Sequence, residues 1–540
     1  MAKTGRSAID RRKFIQLAGA AGVATVVGAR VTPTRVFADT AASGGELVVG
    51  LDAEPPTLDP QASPSVATYP VVSSVFESLL YQNDKHELKP WLAETWEVNA
   101  DSTAFTFHLR KDVVFHDGEP FNADTVKWNF DRVVDPNFQA GGALAALYGY
   151  TGSKVIDDYT VEVQFSKPFA PFLTQAAGGS LGIVSPKAVQ SLGSDFATKP
   201  VGSGPFKVDS YTAGDNVVIV RNDDYKRQAP WSDRTGPALL DKVTFRFIPE
   251  ASTRSVTVET GETNLINTIT AQDLPRFDGN DDFAVAKIPW GGVPRTLFLN
   301  FKLGPTDDVN VRKAVNLAID RQSLVNTVFK GLAEPSIGFL TKSLLDDPSL
   351  SFPYDPDQAK SLLDKAGWVK GDGDVRQKDG KKLTFVLNAV DLGAGAPPET
   401  QFVQANLIDV GFDATIKLQA RAPWYEDNYK YLTNGPIGFI RSGDFDAAFS
   451  AFHSSLIGKN FNFSGVDLAN IDDLLERGRQ ESDPTARRKT YLDLEHALQD
   501  ISASAPLVDE YAIWVGQKKV QGLTFNGACY PVFSDVSITN

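Results

Sequence analysis

Arg421 stands three residues before Trp424-Tyr425, Arg441 follows twenty residues later, and Phe452-His453-Ser454-Ser455 lies eleven beyond that. A guanidinium presents a planar fork of donors that matches a carboxylate. Aromatic faces beside hydroxyls stack on, and hydrogen-bond to, a sugar or another polyol. Such groups hold a ligand; none of them is placed to transform it. Arg421, Trp424, Arg441, Phe452 and His453 are therefore candidate ligand contacts, and the alternative for each is a place in the core or on the surface.

Motifs that would imply catalysis or metal binding dissolve on inspection. Gly178-Gly179-Ser180-Leu181-Gly182 has the G-x-S-x-G form of a hydrolase elbow. That elbow needs a helix directly after the serine, and here Ile183-Val184-Ser185-Pro186 reads as an extended segment. The five histidines, His86, His108, His116, His453 and His496, form no pair at ligand spacing; His108 and His116 read as surface residues. Asp372 and Asp374 hint at a calcium loop, but Arg376 occupies the third ligand position and no glutamate closes the frame. Gly202-Ser203-Gly204 lacks the Lys-Ser/Thr of a phosphate loop. No nucleophile, base and oxyanion donor converge, so neither enzyme chemistry nor a cofactor is expected.

The elements that must position these residues alternate along the chain. "ELVVGL" (46–51), "FTFHLR" (105–110), "TVEVQF" (160–165), "NVVIVRN" (216–222) and "KVTFRFI" (242–248) read as strands. Helices are expected over Tyr69–Leu80, from the spacing of Val72, Val75, Phe76, Leu79 and Leu80, and after Asn122 or Asp124 as a cap. One long helix is expected over 311–329, ended by Gly331, and another over 355–368, capped by Asp355 or Asp357 and stopped at Gly367. Residues 371–387 read as a hairpin entering a strand, 400–420 as helix, glycine stop and strand, and 467–501 as two helices broken near Pro484. Gly202 and Gly204 suggest a tight backbone course with positive φ. The pattern is that of a mixed α/β chain.

The N-terminus carries "DRRKFIQ" (10–16), then an uncharged, Gly/Ala-diluted run to Ala29 that is too short and too weakly apolar to span a membrane. A basic start, a short apolar core and a small residue at Ala38 describe a secretory signal peptide over 1–38, cleaved to leave Asp39. Arg11-Arg12 followed by Phe14 is similar to a twin-arginine (Tat) export signal; an ordinary Sec signal is the alternative. No cysteine near Ala38 offers a lipid anchor. Losing seven Lys/Arg and one Asp would leave a formal charge of about −20, which speaks against nucleic-acid or anionic-membrane binding and for a soluble exported protein. The lone Cys529 cannot form an intramolecular disulfide. More than 500 residues exceed what one core supports, so at least two lobes are expected.

From Leu88 the chain reads "LKPWLAETWEVNADSTAFTFHLRKDVVFHDGEPFNADTVKWNF". This stretch resembles the signature of the family 5 solute-binding proteins of ABC transporters, the oligopeptide-, dipeptide- and nickel-binding group. "VGSGPFKV" (201–208), "LFLNFK" with "DVNVRKAVNLAIDR" (297–321), "YDPDQAKSLLDKAGW" (354–368) and "LIDVGFDATI" (407–416) follow in the family's order. Most of these residues read as fold-makers; Arg312 and Asp320 are expected to cap or pair.

The resemblance implies a two-lobe α/β binding-protein fold (class II, cluster C type) with an extra subdomain in the first lobe. Lobe I would hold residues 46–288 and 513–540, with the subdomain at about 66–195, and lobe II residues 289–512. It further implies a monomer that captures a small solute (a peptide, sugar or opine-like compound) between the lobes and delivers it to membrane permease subunits with their ATPase, in the periplasm or as a soluble exported protein. Ser63 and Tyr69 are cleft candidates by family position. Peptide binders of the family carry a Trp-x-Gly-Asp-x-x-Asp-Pro segment whose aspartate pairs with the peptide amine. The run taken to correspond, "FDAAFSAFHSSLIGKNFNFSG" (445–465), has no tryptophan and no acidic residue after Phe449, which speaks against peptide as ligand. A secreted serine hydrolase acting through Ser180, or a stand-alone sensor on the same fold, are the alternatives.

Overall fold

The computed structural model describes residues 43–539, apart from 64, 372 and 392–394. The expected signal peptide, its cleavage site and Asp372 lie outside the described residues.

The order of elements is mixed α/β, and the largest sheet has twelve strands. Its axis is the long strand Ser504–Gln517. Along its first part it pairs antiparallel with Gly292–Phe298, from Phe298 opposite Ser504 to Arg295 opposite Val508. Along its second part it pairs with Phe283–Pro289, from Pro289 opposite Tyr511 to Phe283 opposite Gln517, and with Leu265–Asn267. Trp290 and Gly291 bridge the two partners, and Trp290 N–H donates to Glu510 O at 3.1 Å where the pairing changes over. Outward on one side lie the parallel pair Glu46–Leu51 and Lys242–Phe247 with two further antiparallel strands. On the other lie Gly435–Arg441, Thr384–Val390 and Asp413–Gln419.

The buried clusters follow the same division. One gathers Leu47, Phe206, Phe245 and Trp514; two others draw on Leu297 to Val508 and on Val293 to Ala503. A fourth, from Leu79 to Ile183, lies beneath the four-stranded sheet Ala93–Val98, Ala104–Leu109, Thr160–Phe165, Tyr150–Asp157. Phe172 sits at its centre with ring centroids 4.8 Å from Phe165, 5.1 Å from Phe105 and 6.0 Å from Phe130.

Most expected elements form as read. Asn122 caps Ala123–Val134 in a capping box with Thr125; Asp355 caps Pro356–Lys365; Pro484 opens the second of the two late helices. One expected helix is cut short and another is interrupted. Tyr69–Val72 is a single turn, because beyond it the backbone is claimed from outside: Phe206 N–H donates to Ser74 O, Gly204 N–H to Val75 O and Ile183 N–H to Glu77 O. The apolar residues with helical spacing are all buried, but Val72, Val75 and Phe76 enter one core and Leu79 and Leu80 another. The 311–329 helix breaks after Ala318 and resumes over Arg321–Leu324 and Val325–Phe329, ending ahead of Gly331 as expected. Asp320 caps a new turn through Ser323, and buried Arg321 spends its donors on the carbonyls of Pro506 and Asn316. Gly202 and Gly204 are needed for close approach, not for positive φ: a Cβ on Gly202 would stand 2.2 Å from Val75 O. His116 is half-buried rather than on the surface, its ring 3.0 Å from Gly204 O.

Two buried carboxylates secure the loop that braces Trp290. Glu495 accepts from Phe339 N–H at 2.7 Å and Leu340 N–H at 2.6 Å, and Asp509 from Lys342 N–H at 2.7 Å. Between them Thr341 N–H donates to Gly292 O and Ser343 Oγ to Trp290 O, both at 2.8 Å. Burial outweighs the amide bonds and raises Glu495 to about 8 and Asp509 to about 7.

Phe172→Ala should cost about 3–5 kcal/mol through lost contacts and a cavity, read as a lower denaturant midpoint with an unchanged slope. The raised carboxyls hold protons in the folded state that the unfolded chain releases near its ordinary acid pKa. Their contribution to stability is therefore complete below about pH 4 and is lost as pH rises through 7 and 8. Melting temperature should fall across that window, and Glu495→Gln, neutral at every pH, should flatten the fall. An unchanged pH profile in the variant would disprove the assignment.

Candidate ligand-binding site

Where the long strand changes partners, the chain leaves two adjoining cavities of about 610 and 240 Å³. They share Arg441, Ser442, Gly443, Gly527, Ala528 and Tyr530. Arg441 ends the strand Gly435–Arg441 and lies opposite Gly292. Only glycine allows that approach: a Cβ on Gly292, at φ +119°, would stand 1.9 Å from Ile440 O, and one on Gly291 would stand 2.4 Å from Ser442 O.

The Arg441 guanidinium lies over two rings, 4.2 Å from the Trp290 centroid and 4.6 Å from Phe439. Its Nη2 is 3.4 Å from Glu510 Oε2. The other oxygen of Glu510 accepts from Arg295 at 2.9 Å, and Arg295 also donates to Glu399 at 2.9 Å. Burial pulls the Arg441 pKa down while Glu510 holds it up, and a guanidinium stays charged in either case. With a third of its side chain exposed and a single long contact to Glu510, it keeps donors for a second anion.

The smaller cavity has an aromatic and amide lining: Tyr69, Tyr81, Trp91 and Trp231 with Gln82 and Asn526. Tyr69 and Tyr530 lie 5.7 Å apart, and burial raises the Tyr69 phenol to about 12. Arg441 is the only charged residue among its lining residues. The larger cavity adds Asp52, whose carboxylate accepts from Asn267 Nδ2 at 2.8 Å, together with Glu510, Trp514 and Cys529. Burial lifts the Cys529 thiol to about 12, so it is no nucleophile at neutral pH.

Of the residues singled out from sequence, Tyr69 and Arg441 line the cavities. The others stand elsewhere. Ser63 is buried and bonds to Thr68 Oγ1 at 2.7 Å. Arg421 is exposed in the first turn of the helix Arg421–Tyr429. Trp424 packs on Phe463, and its indole donates to Asn388 O at 3.1 Å. Phe452 is fully buried against Phe298 and Phe339. His453 stacks on Phe449 at 4.0 Å and bonds Ser455 Oγ at 2.8 Å. Their apolar bodies follow helical burial, which sequence patterns cannot separate from ligand stacking. Gly178, Gly179 and Gly182 of the hydrolase-like motif line the smaller cavity, and Ser180 sits in a 3₁₀ turn, not on an elbow before a helix.

The Gly-Asp pair sought in the late segment lies just ahead of Phe445. Gly443 is at the cavity, but Asp444 turns inward to a bidentate pair with Arg487 at 2.6 and 2.8 Å. The residue two before Gly443 is Arg441, where the peptide-binder pattern has tryptophan. Trp290, Glu510 and Asp52 escaped the sequence reading altogether; the fold brings Trp290 and Glu510 against Arg441 and places Asp52 in the wall of the larger cavity.

A family model described as bacterial extracellular solute-binding proteins, family 5 Middle, matches residues 87–464. The glutathione-binding protein GsiB of Escherichia coli K12 is 27% identical over 505 residues, covering 91% of this chain and 94% of its own. NikA from Brucella suis, solved in complex with Fe(III)-EDTA, superposes with a TM-score of 0.80 at 27% identity, over 92% of this chain and all of its own. HbpA2 from Haemophilus parasuis shares the fold at a TM-score of 0.82 and 24% identity, over 92% and 100% of the two chains. Among the described residues no helix is long and apolar enough to cross a membrane. The mixed α/β fold and this family match agree: the chain belongs to the family 5 bacterial extracellular solute-binding proteins, two-lobed binding proteins rather than enzymes.

Proposed function

We propose that the protein is the substrate-binding component of an ABC importer and that it captures a small polar solute bearing a carboxylate. The observation that carries this reading is Arg441, a charged guanidinium stacked on Trp290 in the wall shared by both cavities. A ligand carboxylate beside it would be held by a charge-assisted pair. Glutathione and EDTA, named for two relatives, both carry carboxylates. An amine end would find Asp52 and Glu510 in the larger cavity, so a peptide-like or opine-like acid suits the site better than a neutral sugar. Asp444, engaged by Arg487, is not placed to take that amine.

In this reading residues 46–288 with 513–540 form one lobe and 289–512 the other, and the chain crosses at Trp290-Gly291 and near Tyr511. Ligand contacts to both lobes favour the closed form over the open one, and the closed form docks on the permease. The N-terminal 38 residues would direct export by the twin-arginine route and leave Asp39 as the first residue.

A thermal-shift screen of the chain from Asp39 against di- and tripeptides including glutathione, opine-like acids, sugars and nickel complexes should single out a carboxylate. A ligand at a hundred times its Kd adds about 2.7 kcal/mol. Arg441→Gln should weaken that ligand at least tenfold while leaving the melting point of the empty protein nearly unchanged. Stabilisation by sugars alone, or full affinity in Arg441→Gln, would overturn the reading. Export of a tagged precursor should stop in Arg11→Lys/Arg12→Lys; unchanged export would point to the Sec route.

A further inference from the structure

Two side chains in the wall of the smaller cavity also hydrogen-bond across to residues 443 and 444. Gln82 ends the short strand Leu80–Gln82, and its Nε2 donates to Gly443 O at 2.8 Å, across 361 positions of sequence. Thr174 lies in the turn Phe172–Gln175, and its Oγ1 donates to Asp444 Oδ2 at 2.9 Å. Both residues line the cavity beside Arg441.

The packing around Gln82 leaves it one place. A Cβ on Gly443 would stand 2.1 Å from Gln82 Oε1, and one on Gly527 would stand 2.7 Å from the same atom. The Gly527 N–H also donates to Gln82 O at 2.8 Å. Three distant segments, the 80–90 hairpin, the loop after Arg441 and the C-terminal loop, thus close on one amide. Asp444 is held from behind by a bidentate pair with Arg487, so the Thr174 hydroxyl meets a carboxylate already oriented by the second lobe.

A second set of cross-contacts avoids the cavity. Ala170 N–H donates to Arg479 O and Ser102 Oγ to Gln480 O, both at 2.7 Å. None of these four residues lines either cavity. The seam therefore has a part away from the cavities, which a ligand does not touch, and a part in their wall, which it does.

We infer that Gln82 and Thr174 are the positioning residues through which an occupied cleft is held closed. This rests on the two-lobe reading above. In the closed form each serves at once as ligand wall and as donor to the second lobe. A ligand that orders these side chains lowers the cost of the bonds to Gly443 and Asp444, and those bonds in turn favour the liganded form. In the open form both lose their acceptor on the second lobe, and a bond to water in its place contributes little.

The test compares wild type, Gln82→Ala, Thr174→Val and Thr174→Ser by calorimetric affinity and by small-angle scattering. The probe is glutathione or, if glutathione does not shift the wild-type melting point, the panel compound that shifts it most. Wild type should contract on saturation. Gln82→Ala and Thr174→Val should bind about tenfold more weakly and contract less, with a melting-point loss that is larger with probe than without. Thr174→Ser, which keeps the hydroxyl, should restore both. Gly443→Ala, which displaces the Gln82 amide by its methyl group, should behave like Gln82→Ala. Variants that contract and bind as wild type would overturn the inference, as would equal melting-point losses with and without probe. A wild type that contracts with no panel member would instead overturn the two-lobe capture reading itself.

Discussion

A guanidinium is costly to carry into a half-buried cleft unless carbonyls or a counter-charge replace its water. Glu510 supplies it for two at once. One oxygen accepts from Arg295 and the other faces Arg441. Glu510 stands on the long strand Ser504–Gln517 where that strand exchanges one set of partners for another. The charge balance of the cleft is therefore tied to the backbone ladder that joins the two halves of the sheet. Arg295 closes the arrangement through Glu399, and Phe439 lies within 5.0 Å of both guanidiniums. Two cations share two carboxylates and one ring, and Arg441 is the more exposed of them, in the wall of both cavities.

The strand crossing imposes a second constraint. Trp290 must present its indole to Arg441 while its backbone continues the ladder. Its own N–H is used by Glu510 O and its carbonyl by Ser343, and the loop carrying Ser343 is held by Glu495 and Asp509. Buried carboxylates that do not line either cavity thus bear on the position of one aromatic face within it. Stability and the placing of Trp290 draw on the same hydrogen bonds, so a change in the acid pair would reach the cavity wall through Trp290.

Much of the fold was legible before the structure. Strands with alternating burial, the caps at Asn122 and Asp355 and the break at Pro484 form where the residues place them, because each depends on neighbours in sequence. The failures share a cause. The 69–80 and 311–329 helices are cut where distant backbone or a buried arginine takes over the local hydrogen bonds, which helical spacing cannot register. The cleft was less legible than the fold. Phe452, Trp424 and His453 have the chemistry of ligand contacts and the positions of core residues, and a hydrophobic side chain looks the same in sequence whichever surface it covers.

Sequence by itself determined the family, the α/β class and the acidic charge, since these rest on residue types and local order. It singled out Arg441 and Tyr69 but gave no reason to set them above Phe452. Tertiary structure alone decided that Arg441 meets Trp290 and Glu510, that Asp444 turns inward to Arg487, and that Gln82 is wedged between Gly443 and Gly527. Those contacts join residues from 43 to more than 400 positions apart. They exist because one strand is shared by two halves of a sheet, and no local pattern encodes which side chains such a strand will bring face to face.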